Sequence, residues 1–218
     1  LAAVKGVVSK FIDNRPNDRI GMVVFGEQAY TQSPLTLDQD ILQSFLRKLE
    51  IGMAGDSTAI GSAIGIAGKR LKDLESKSKV MILLTDGRSN AGALPPIQAA
   101  QAAKTFGIKI YTIGVGTKGK APFLVNSVFG QRYVYQEVDI DEVTLKEISK
   151  ITGGQYFRAT DVESLKNIYD QIDEMEKSEV KVIDHSEYKE LFYYFLVPGL
   201  LLLLLEAGLS NTLLRRVP

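Results

Sequence analysis

Two short segments of the chain contain residue types that could bind a metal ion. The first is VMILLTDG at 80–87, an apolar run that stops at Asp86 and Gly87. Such a run is typical of a strand buried on both faces at the centre of a parallel sheet. Asp86 would then lie at the edge where open α/β sheets place their ligands. An isolated Asp-Gly is also a common turn, so this segment alone leaves both interpretations open.

The second segment is GDSTAIG at 55–61. Asp, Ser and Thr favour helix N-termini, and the chain from Ala59 to about Leu74 is compatible with a helix. Taken alone, Thr58 is explained as well by helix capping as by metal binding. With Asp86 it offers a hydroxyl and a carboxylate, which are hard oxygen donors suited to Mg²⁺ or Mn²⁺. We therefore expect Thr58 and Asp86 to converge at one rim of the sheet.

The elements that must position these residues alternate between strand and helix. Apolar runs predict strands at 19–25, 29–31, 80–85, 108–113 and 155–158, and helical patterns fall at 38–49, 59–74, 95–106 and 142–151. A capping box, Thr160-x-x-Glu163, begins a further helix. This order predicts an α/β fold, a doubly wound and mostly parallel sheet with helices on both faces. The many small residues at 59–74 indicate a helix pressed close to the sheet.

Composition excludes several classes of protein and site. Lys plus Arg and Asp plus Glu both total 26, so nothing indicates a nucleic-acid partner. The chain has no Cys, which excludes disulfides, thiolate metal sites and Cys nucleophiles. The single histidine, His185, lies beside the apolar C-terminal segment, far from any Ser-His-Asp arrangement in the core.

Two other patterns with enzymatic potential are better explained without catalysis. The glycines at 114, 116 and 119 have dinucleotide-binding spacing, but Lys-Ala-Pro follows them rather than a helix that could hold a pyrophosphate. Asp139, Asp141 and Glu142 could form paired acids, although capping of the next helix explains two of them. Because no nucleophile is paired with a base, we predict a protein that is not an enzyme.

Most of the chain resembles a von Willebrand factor type A (VWA) domain. Within that family it resembles the membrane-bound bacterial Bat-type aerotolerance proteins, BatA in particular. The resemblance is carried by GDSTAIGSAIG at 55–65, KVMILLTDGRSNAG at 79–92, GIKIYTIGVGT at 107–117, RPNDRIGMVVFGEQAYTQSPLTLD at 15–38 and DIDEVTLKEISKITGGQYFRATD at 139–161.

The resemblance implies a metal-ion-dependent adhesion site (MIDAS). In this family the site combines an Asp-x-Ser-x-Ser loop, a Thr and an Asp, and the last two match Thr58 and Asp86. Asp56, Ser57 and Gly87 would shape the surrounding loops. The implied cofactor is Mg²⁺ or Mn²⁺, with an open coordination position for a carboxylate of a partner protein.

The Asp-x-Ser-x-Ser loop is absent before residue 20, and the chain opens with an amphipathic helical pattern. We therefore expect residues 1–178 to be a VWA domain that lacks its first strand and first metal loop. A cation that needs about six oxygens would retain most of its waters on the two remaining ligands. We expect metal binding by this chain to be weak or absent.

The C-terminal segment predicts a membrane anchor. Residues 191–205 are all apolar, aromatic, Pro or Gly and include six consecutive leucines, and counting through Leu209 gives 19 residues. At 1.5 Å per residue these span roughly 28 Å, enough to cross a bilayer core. We predict a connector at 179–190, a transmembrane helix at 191–209 and a tail at 210–218. A buried core helix or an interfacial segment is the alternative.

The implied location is the bacterial cytoplasmic (inner) membrane, with the globular domain outside it. Arg215 and Arg216 favour a cytoplasmic C-terminus, while lysines before the segment leave orientation open. The implied partners are other VWA or Bat-type membrane proteins and MoxR-type AAA+ ATPases, in envelope assembly or stress tolerance. The alternative is a metal-independent structural subunit of a membrane complex.

Overall fold

The computed structural model describes residues 1–76, 78–116, 119–127, 130–138, 140–184 and 192–212. It divides into two compact units, Leu1–Val180 and Lys181–Pro218. The elements in chain order are α1 (Ala2–Asp13), β1 (Ile20–Phe25), β2 (Ala29–Thr36), α2 (Gln39–Arg47), α3 (Ile60–Leu71), β3 (Lys79–Thr85), α4 (Pro96–Thr105), β4 (Ile108–Val115), β5 (Gly119–Ser127), β6 (Gly130–Val138), α5 (Glu142–Thr152), β7 (Tyr156–Ala159), α6 (Val162–Asp184) and α7 (Phe192–Thr212).

The strands form one parallel sheet and two antiparallel pairs. The parallel sheet has the order β3-β4-β7, whereas β1 pairs with β2 and β5 pairs with β6. Thr85 is in register with Gly114, and Val115 with Ala159. The carboxyl ends of β3, β4 and β7 therefore share one rim. The predicted α/β fold with a parallel sheet and helices is confirmed.

Helices cover both faces of this sheet. On one face, Ile60 of α3, Ala100 of α4 and Ile148 of α5 pack with Ile108 and Ile110 of β4. On the other face, α1 and α6 pack against Tyr111 and Ile113 of β4 and against β7. The helix residues of this cluster are Val7, Leu165, Ile168, Tyr169 and Ile172, and the β7 residue is Phe157. Successive side chains of β4 thus enter opposite halves of the core, as strand geometry requires.

The position predicted for β3 at the centre of the sheet is wrong. Met81, Leu83 and Thr85 are buried, but Val80, Ile82 and Leu84 on the opposite face are only half-buried. The strand predicted at 108–113, which was also expected to be central, is β4, and it lies between β3 and β7 and is fully buried from Ile110 to Gly114. An apolar run shows that a strand can be buried, but the number of neighbouring strands depends on tertiary pairing.

Helix α3 packs most tightly against a loop rather than against the sheet. A Cβ on Gly61 would lie 1.9 Å from the carbonyl oxygen of Leu94, and one on Gly65 would lie 3.1 Å from Leu94 Cδ2. A Cβ on Gly68 would meet Ile108 of the sheet at an ordinary 3.9 Å. The small residues of α3 therefore make room for the loop that leads into α4, and the prediction that they bring the helix close to the sheet is wrong.

The cap of α6 is shifted by one residue from the prediction. The Ser164 amide donates to Asp161 Oδ1 at 2.7 Å, so Asp161 is the capping side chain. Thr160 instead donates its hydroxyl to Asp161 Oδ2 at 2.9 Å. The capping box predicted from Thr160 and Glu163 is therefore not formed, because an aspartate one residue later accepts the amide proton.

Helix α7 lies in the second unit and exposes its leucines. Leu200–Leu204 are between 55% and 69% exposed. Within the described part of the chain, no helix is both long and apolar enough to cross a membrane. The span predicted at 191–209 is thus unsupported, since the continuous apolar stretch of α7 ends before Glu206. Residues 185–191 and 213–218, which include parts of the predicted connector and tail, lie outside the described residues.

Candidate functional site

Asp86 lies at the rim formed by the carboxyl ends of the parallel strands. Strand β3 ends at Thr85, and the exposed Asp86 follows it directly. The Gly87 amide donates to the hydroxyl of the buried Thr85 at 3.3 Å. This contact turns the chain sharply after the strand, so the Asp86 carboxylate remains accessible from solvent. The predicted position of Asp86 at a strand end is confirmed.

Thr58 lies against the same turn. A Cβ built on Gly87 would be 3.0 Å from the Thr58 hydroxyl oxygen, so this hydroxyl packs beside the residue that follows Asp86. Two segments some thirty residues apart in sequence therefore meet at one point of the rim. The loop that carries Thr58 therefore lies next to the residue that follows Asp86, whereas the convergence of the Thr58 hydroxyl and the Asp86 carboxylate on one cation stays a prediction.

Asn90 holds Thr58 in this position. The Thr58 amide donates to Asn90 Oδ1 at 2.7 Å, and the amides of Asn90 and Ala91 approach the Thr58 carbonyl oxygen at 3.1 and 3.3 Å. The sequence interpretation missed Asn90. Its signal was a polar, turn-forming side chain four residues after Asp86, of the type that bonds nearby backbone groups.

Helix capping does not account for Thr58. Helix α3 begins at Ile60 with Ala59 at the N-cap, and no side chain makes a capping hydrogen bond there. The backbone of Thr58 is instead used to join two loops. The alternative interpretation of Thr58 as a cap is thus contradicted.

The end of β1 supports the same segment from another side. The Ala59 amide donates to the Gly26 carbonyl oxygen at 2.7 Å, and the Gln28 amide donates to the Ala54 carbonyl oxygen at 3.0 Å. A Cβ on Gly26 would lie 2.6 Å from the Gly55 carbonyl oxygen, so only glycine fits this close approach. Thr58 is therefore fixed between the ends of β1 and β3.

The remaining predicted site residues lie on these loops. Asp56 is exposed, whereas Ser57 and Gly87 are half-buried. Within the described residues, no group of three or more His, Cys, Asp or Glu side chains is placed to hold a metal ion. The hydroxyl of Thr58 and the carboxylate of Asp86 fit the oxygen preference of Mg²⁺ and Mn²⁺, but they amount to part of a coordination shell.

The acids near α5 serve structural roles. Asp141 caps α5 by accepting from the Thr144 amide at 3.1 Å, and Glu142 is ion-paired with Arg158. Arg158 also donates to the Gly116 carbonyl oxygen at 3.1 Å, at the end of β4. Burial, followed by the nearby Glu142 carboxylate, raises the pKa of Tyr156. Asp139 lies outside the described residues, so no acid pair is seen here.

Residues 1–171 match the family model for the von Willebrand factor type A domain. The chain belongs to the VWA family. Among solved structures, this VWA chain is similar to BatB from Bacteroides thetaiotaomicron, with 31% identity over 80% of this chain and 87% of that one and a TM-score of 0.66. An aerotolerance-related membrane protein from Bacteroides fragilis is 28% identical over 78% and 86% of the two chains, with a TM-score of 0.65. The predicted relation to Bat-type proteins is confirmed.

A longer relative is an uncharacterized protein from Borreliella burgdorferi, which is 30% identical over 215 residues. These residues are 98% of the VWA chain but 63% of that relative, so the chain spans less than two thirds of it. A mussel byssus protein, proximal thread matrix protein 1, shares the fold at 19% identity and a TM-score of 0.58, over 78% of this chain and 41% of its own. That protein has a MIDAS motif occupied by zinc.

Proposed function

We propose that this VWA protein is a non-enzymatic interaction module that binds a carboxylate of a partner protein through a divalent cation. Thr58 and Asp86 would supply the oxygen ligands contributed by this chain. Asp56, Ser57 and Gly87 would shape the loops around the cation. The cation would be Mg²⁺ or Mn²⁺, and its open position would accept the partner's carboxylate oxygen.

One observation carries this proposal, namely the packing of the Thr58 hydroxyl beside Gly87, next to Asp86. The bond from Thr58 to Asn90 uses the backbone amide of Thr58, and no side chain caps α3. Neither loop bonding nor helix capping therefore explains where the Thr58 hydroxyl lies. The zinc-occupied MIDAS motif of the mussel protein supports divalent-metal binding in this fold. Since two protein ligands leave a cation largely hydrated, we expect weak affinity in this chain.

The test is a titration of Mn²⁺ followed by NMR, because paramagnetic broadening detects weak binding. Amide signals of Thr58, Asp86 and Gly87 should broaden first, and Mg²⁺ should compete. Asp86→Ala should abolish the selective broadening, whereas Asp73→Ala, an aspartate whose side chain is 82% exposed, should leave it unchanged. Equal broadening in both variants would remove Asp86 from the site.

We also propose that the protein works at the bacterial cytoplasmic membrane, with the globular domain outside it. Its partners would be other Bat-type or VWA membrane proteins and a MoxR-type AAA+ ATPase, in envelope assembly or stress tolerance. The names of the two Bacteroides relatives support a Bat-type membrane system. The exposed leucines of α7 would provide the contact with lipid.

Flotation with liposomes tests the membrane contact. The full chain should float with vesicles of phosphatidylethanolamine and phosphatidylglycerol, and a variant with Leu201→Arg and Leu203→Arg should remain at the bottom of the gradient. Resistance of the bound protein to carbonate extraction distinguishes insertion of α7 from surface binding. Equal flotation of both proteins would exclude α7 as the lipid contact.

A metal-independent structural subunit is the second candidate. It is favoured by the lack of any three-ligand acidic or histidine group within the described residues. The two candidates differ in their response to chelation. Partner binding by the interaction module is lost in EDTA and restored by Mg²⁺, whereas binding by a structural subunit is unaffected.

A further inference from the structure

A separate antiparallel hairpin leaves the domain at the rim of the candidate site. Its strands β5 and β6 come after β4, whose carboxyl end forms part of this rim. Before the hairpin, the Gly116 carbonyl oxygen accepts a hydrogen bond from Arg158 at 3.1 Å. After it, Ile140 is 6% exposed and belongs to the core cluster under α3, α4 and α5. The chain is therefore fixed to the domain on both sides of the hairpin.

The hairpin is a two-stranded sheet of its own. The nine residues of β5 pair with β6 without a bulge, from Gly119 with Val138 to Ser127 with Gly130. Over the ranges that the structure describes, neither strand is hydrogen-bonded to a third strand. A two-stranded hairpin is only marginally stable in water, and three or more strands are normally needed. A further strand on one of its edges would therefore stabilise this hairpin.

The amino-acid sequence places apolar or aromatic residues on both faces of the hairpin. Because successive residues of a strand belong to opposite faces, the pair Phe123 and Val134 lies on one face and the pair Leu124 and Tyr133 on the other. An antiparallel sheet with one face in water normally alternates apolar with polar residues. The composition of this hairpin is thus typical of strands within a larger sheet.

The two edges of the hairpin differ in their capacity to accept another strand. Strand β5 contains Pro122, which has no amide proton, whereas β6 contains no proline. In a sheet, proline is confined to an edge where the missing donor is on the open side. The pair of Pro122 with Tyr135 is therefore one whose backbone groups point to the open edges, and by alternation so is the pair of Leu124 with Tyr133. The edge of β6 has the amide donors that a further strand needs.

The sequence of β6 is self-complementary about its midpoint, Val134. When two copies of Gly130–Val138 pair antiparallel around this residue, the whole strand is matched. Tyr133 of one copy then lies opposite Tyr135 of the other, and aromatic pairs across strands are stabilising. The remaining pairs bring no like charges together: Gly130 with Val138, Gln131 with Glu137, and Arg132 with Gln136.

We infer that the edge of β6 pairs with β6 of a second copy of this chain. The two strands are antiparallel about a two-fold axis at Val134, and the two hairpins form a four-stranded sheet with the order β5-β6-β6-β5. Because a two-fold contact uses the same edge on both copies, the assembly closes as a dimer. Pro122 lies on both outer strands and prevents further addition. The pairing requires no cation and none of the proposed metal ligands.

Single engineered thiols can test this register because the chain has no Cys. Since Tyr133 and Tyr135 form the hydrogen-bonded pairs across the axis, the two Val134 positions form a non-hydrogen-bonded pair with Cα atoms about 4.5 Å apart, within reach of a disulfide. The two Gln136 positions are four residues out of register, roughly 14 Å apart.

The experiment uses the full chain in mild detergent with EDTA, and non-reducing gel electrophoresis follows oxidation over time. Val134→Cys should form a covalent dimer. Gln136→Cys, on the same face of the same strand, should do so at least about tenfold more slowly, because its thiols are too far apart. No dimer from Val134→Cys, or equal rates for the two variants, would overturn the inference.

A matched pair of proline substitutions identifies the edge. Tyr133 and Leu124 lie directly opposite each other, so a proline at either position removes one outward amide from one edge of the hairpin. Combined with Val134→Cys, Tyr133→Pro should slow dimer formation at least about tenfold, whereas Leu124→Pro should leave it unchanged. Equal loss with both prolines would also overturn the inference. Because EDTA is present throughout, either failure leaves the cation proposal intact, and a failed Mn²⁺ titration leaves the dimer inference intact.

Discussion

Thr58 and Asn90 bond to each other in both directions. The Thr58 amide donates to Asn90 Oδ1 at 2.7 Å, and the Asn90 amide donates to the Thr58 carbonyl oxygen at 3.1 Å. This reciprocal pair joins the loop before α3 to the loop after β3. Together with the contacts to the end of β1, it holds the loop that carries Thr58 against the loop that follows Asp86.

Substitution of Asn90 should loosen this junction. In Asn90→Ala the Thr58 amide loses its acceptor, which should lower the free energy of unfolding by about 0.5–1.5 kcal/mol. The selective Mn²⁺ broadening at Thr58 should weaken as well, because the hydroxyl is no longer held beside Gly87. Urea denaturation and the Mn²⁺ titration measure the two effects. Asn167→Ala, at an exposed position inside α6, is the control: it should leave the Mn²⁺ broadening unchanged and should not lower stability, since Ala is the better helix former.

A methyl group on Gly87 should affect the site without unfolding the domain. In Gly87→Ala the new Cβ would be 3.0 Å from the Thr58 hydroxyl oxygen, so the hydroxyl must move by a few tenths of an ångström. We expect weaker Mn²⁺ binding with a stability change of about 0.5 kcal/mol or less. Gly6→Ala, where nothing lies within 4 Å of the new Cβ, is the control for Mn²⁺ binding; because Gly6 lies inside α1, Ala there should stabilise the protein by up to about 1 kcal/mol. Unchanged Mn²⁺ binding in Gly87→Ala would argue against a ligand role for Thr58.

Two glycines of α3 should respond in opposite directions to the same substitution. Gly61→Ala places a Cβ 1.9 Å from the Leu94 carbonyl oxygen, and we expect overpacking to cost about 1–3 kcal/mol. Gly68→Ala meets Ile108 at 3.9 Å, so the higher helix propensity of Ala should stabilise it by up to about 1 kcal/mol. The urea denaturation midpoints of the two variants test both expectations. A Gly61→Ala variant as stable as the original protein would contradict the close contact between the helix and the loop.

Glu176 should make stability depend on acid pH. This α6 carboxylate is 5% exposed and accepts hydrogen bonds from Tyr111 at 2.6 Å, Ser78 at 2.9 Å and Lys109 at 3.1 Å. Burial acts to raise the pKa of Glu176, but these hydrogen bonds outweigh it and leave the pKa below its ordinary value of 4.5. Its stabilisation is therefore fully present above 4.5 and is lost as the pH falls through the lower folded-state pKa.

The check on Glu176 is thermal unfolding of Glu176→Gln from pH 7 to pH 3. At pH 7 the variant should be less stable by about 1–3 kcal/mol, and its difference from the original protein should shrink below pH 4.5. Asp170→Asn, at an exposed position inside the same helix, should follow the original protein throughout. A difference that stays constant down to pH 3 would mean that the charge of Glu176 does not stabilise the fold.

Features that depend on near neighbours in the chain could be predicted from the amino-acid sequence. Alternating apolar patterns predicted the α/β order, and an apolar run ending in Asp-Gly placed Asp86 at a strand end. Two of the acids at 139, 141 and 142 were expected to cap and begin the next helix, and Asp141 caps α5, which begins at Glu142. These features follow from backbone preferences and side-chain periodicity over a few residues. The VWA motifs added the pairing of Thr58 with Asp86 as a hypothesis.

Which distant segments come into contact depends on the packing of whole helices and strands and is seen in the fold. Over the described residues β3 lies at an edge of the parallel sheet rather than at its centre, and Asn90 is the residue that positions Thr58. The fold also shows that Gly61 accommodates the Leu94 backbone rather than the sheet. Contacts between residues tens of positions apart depend on how whole elements pack, and local sequence patterns do not encode which neighbour each element finds.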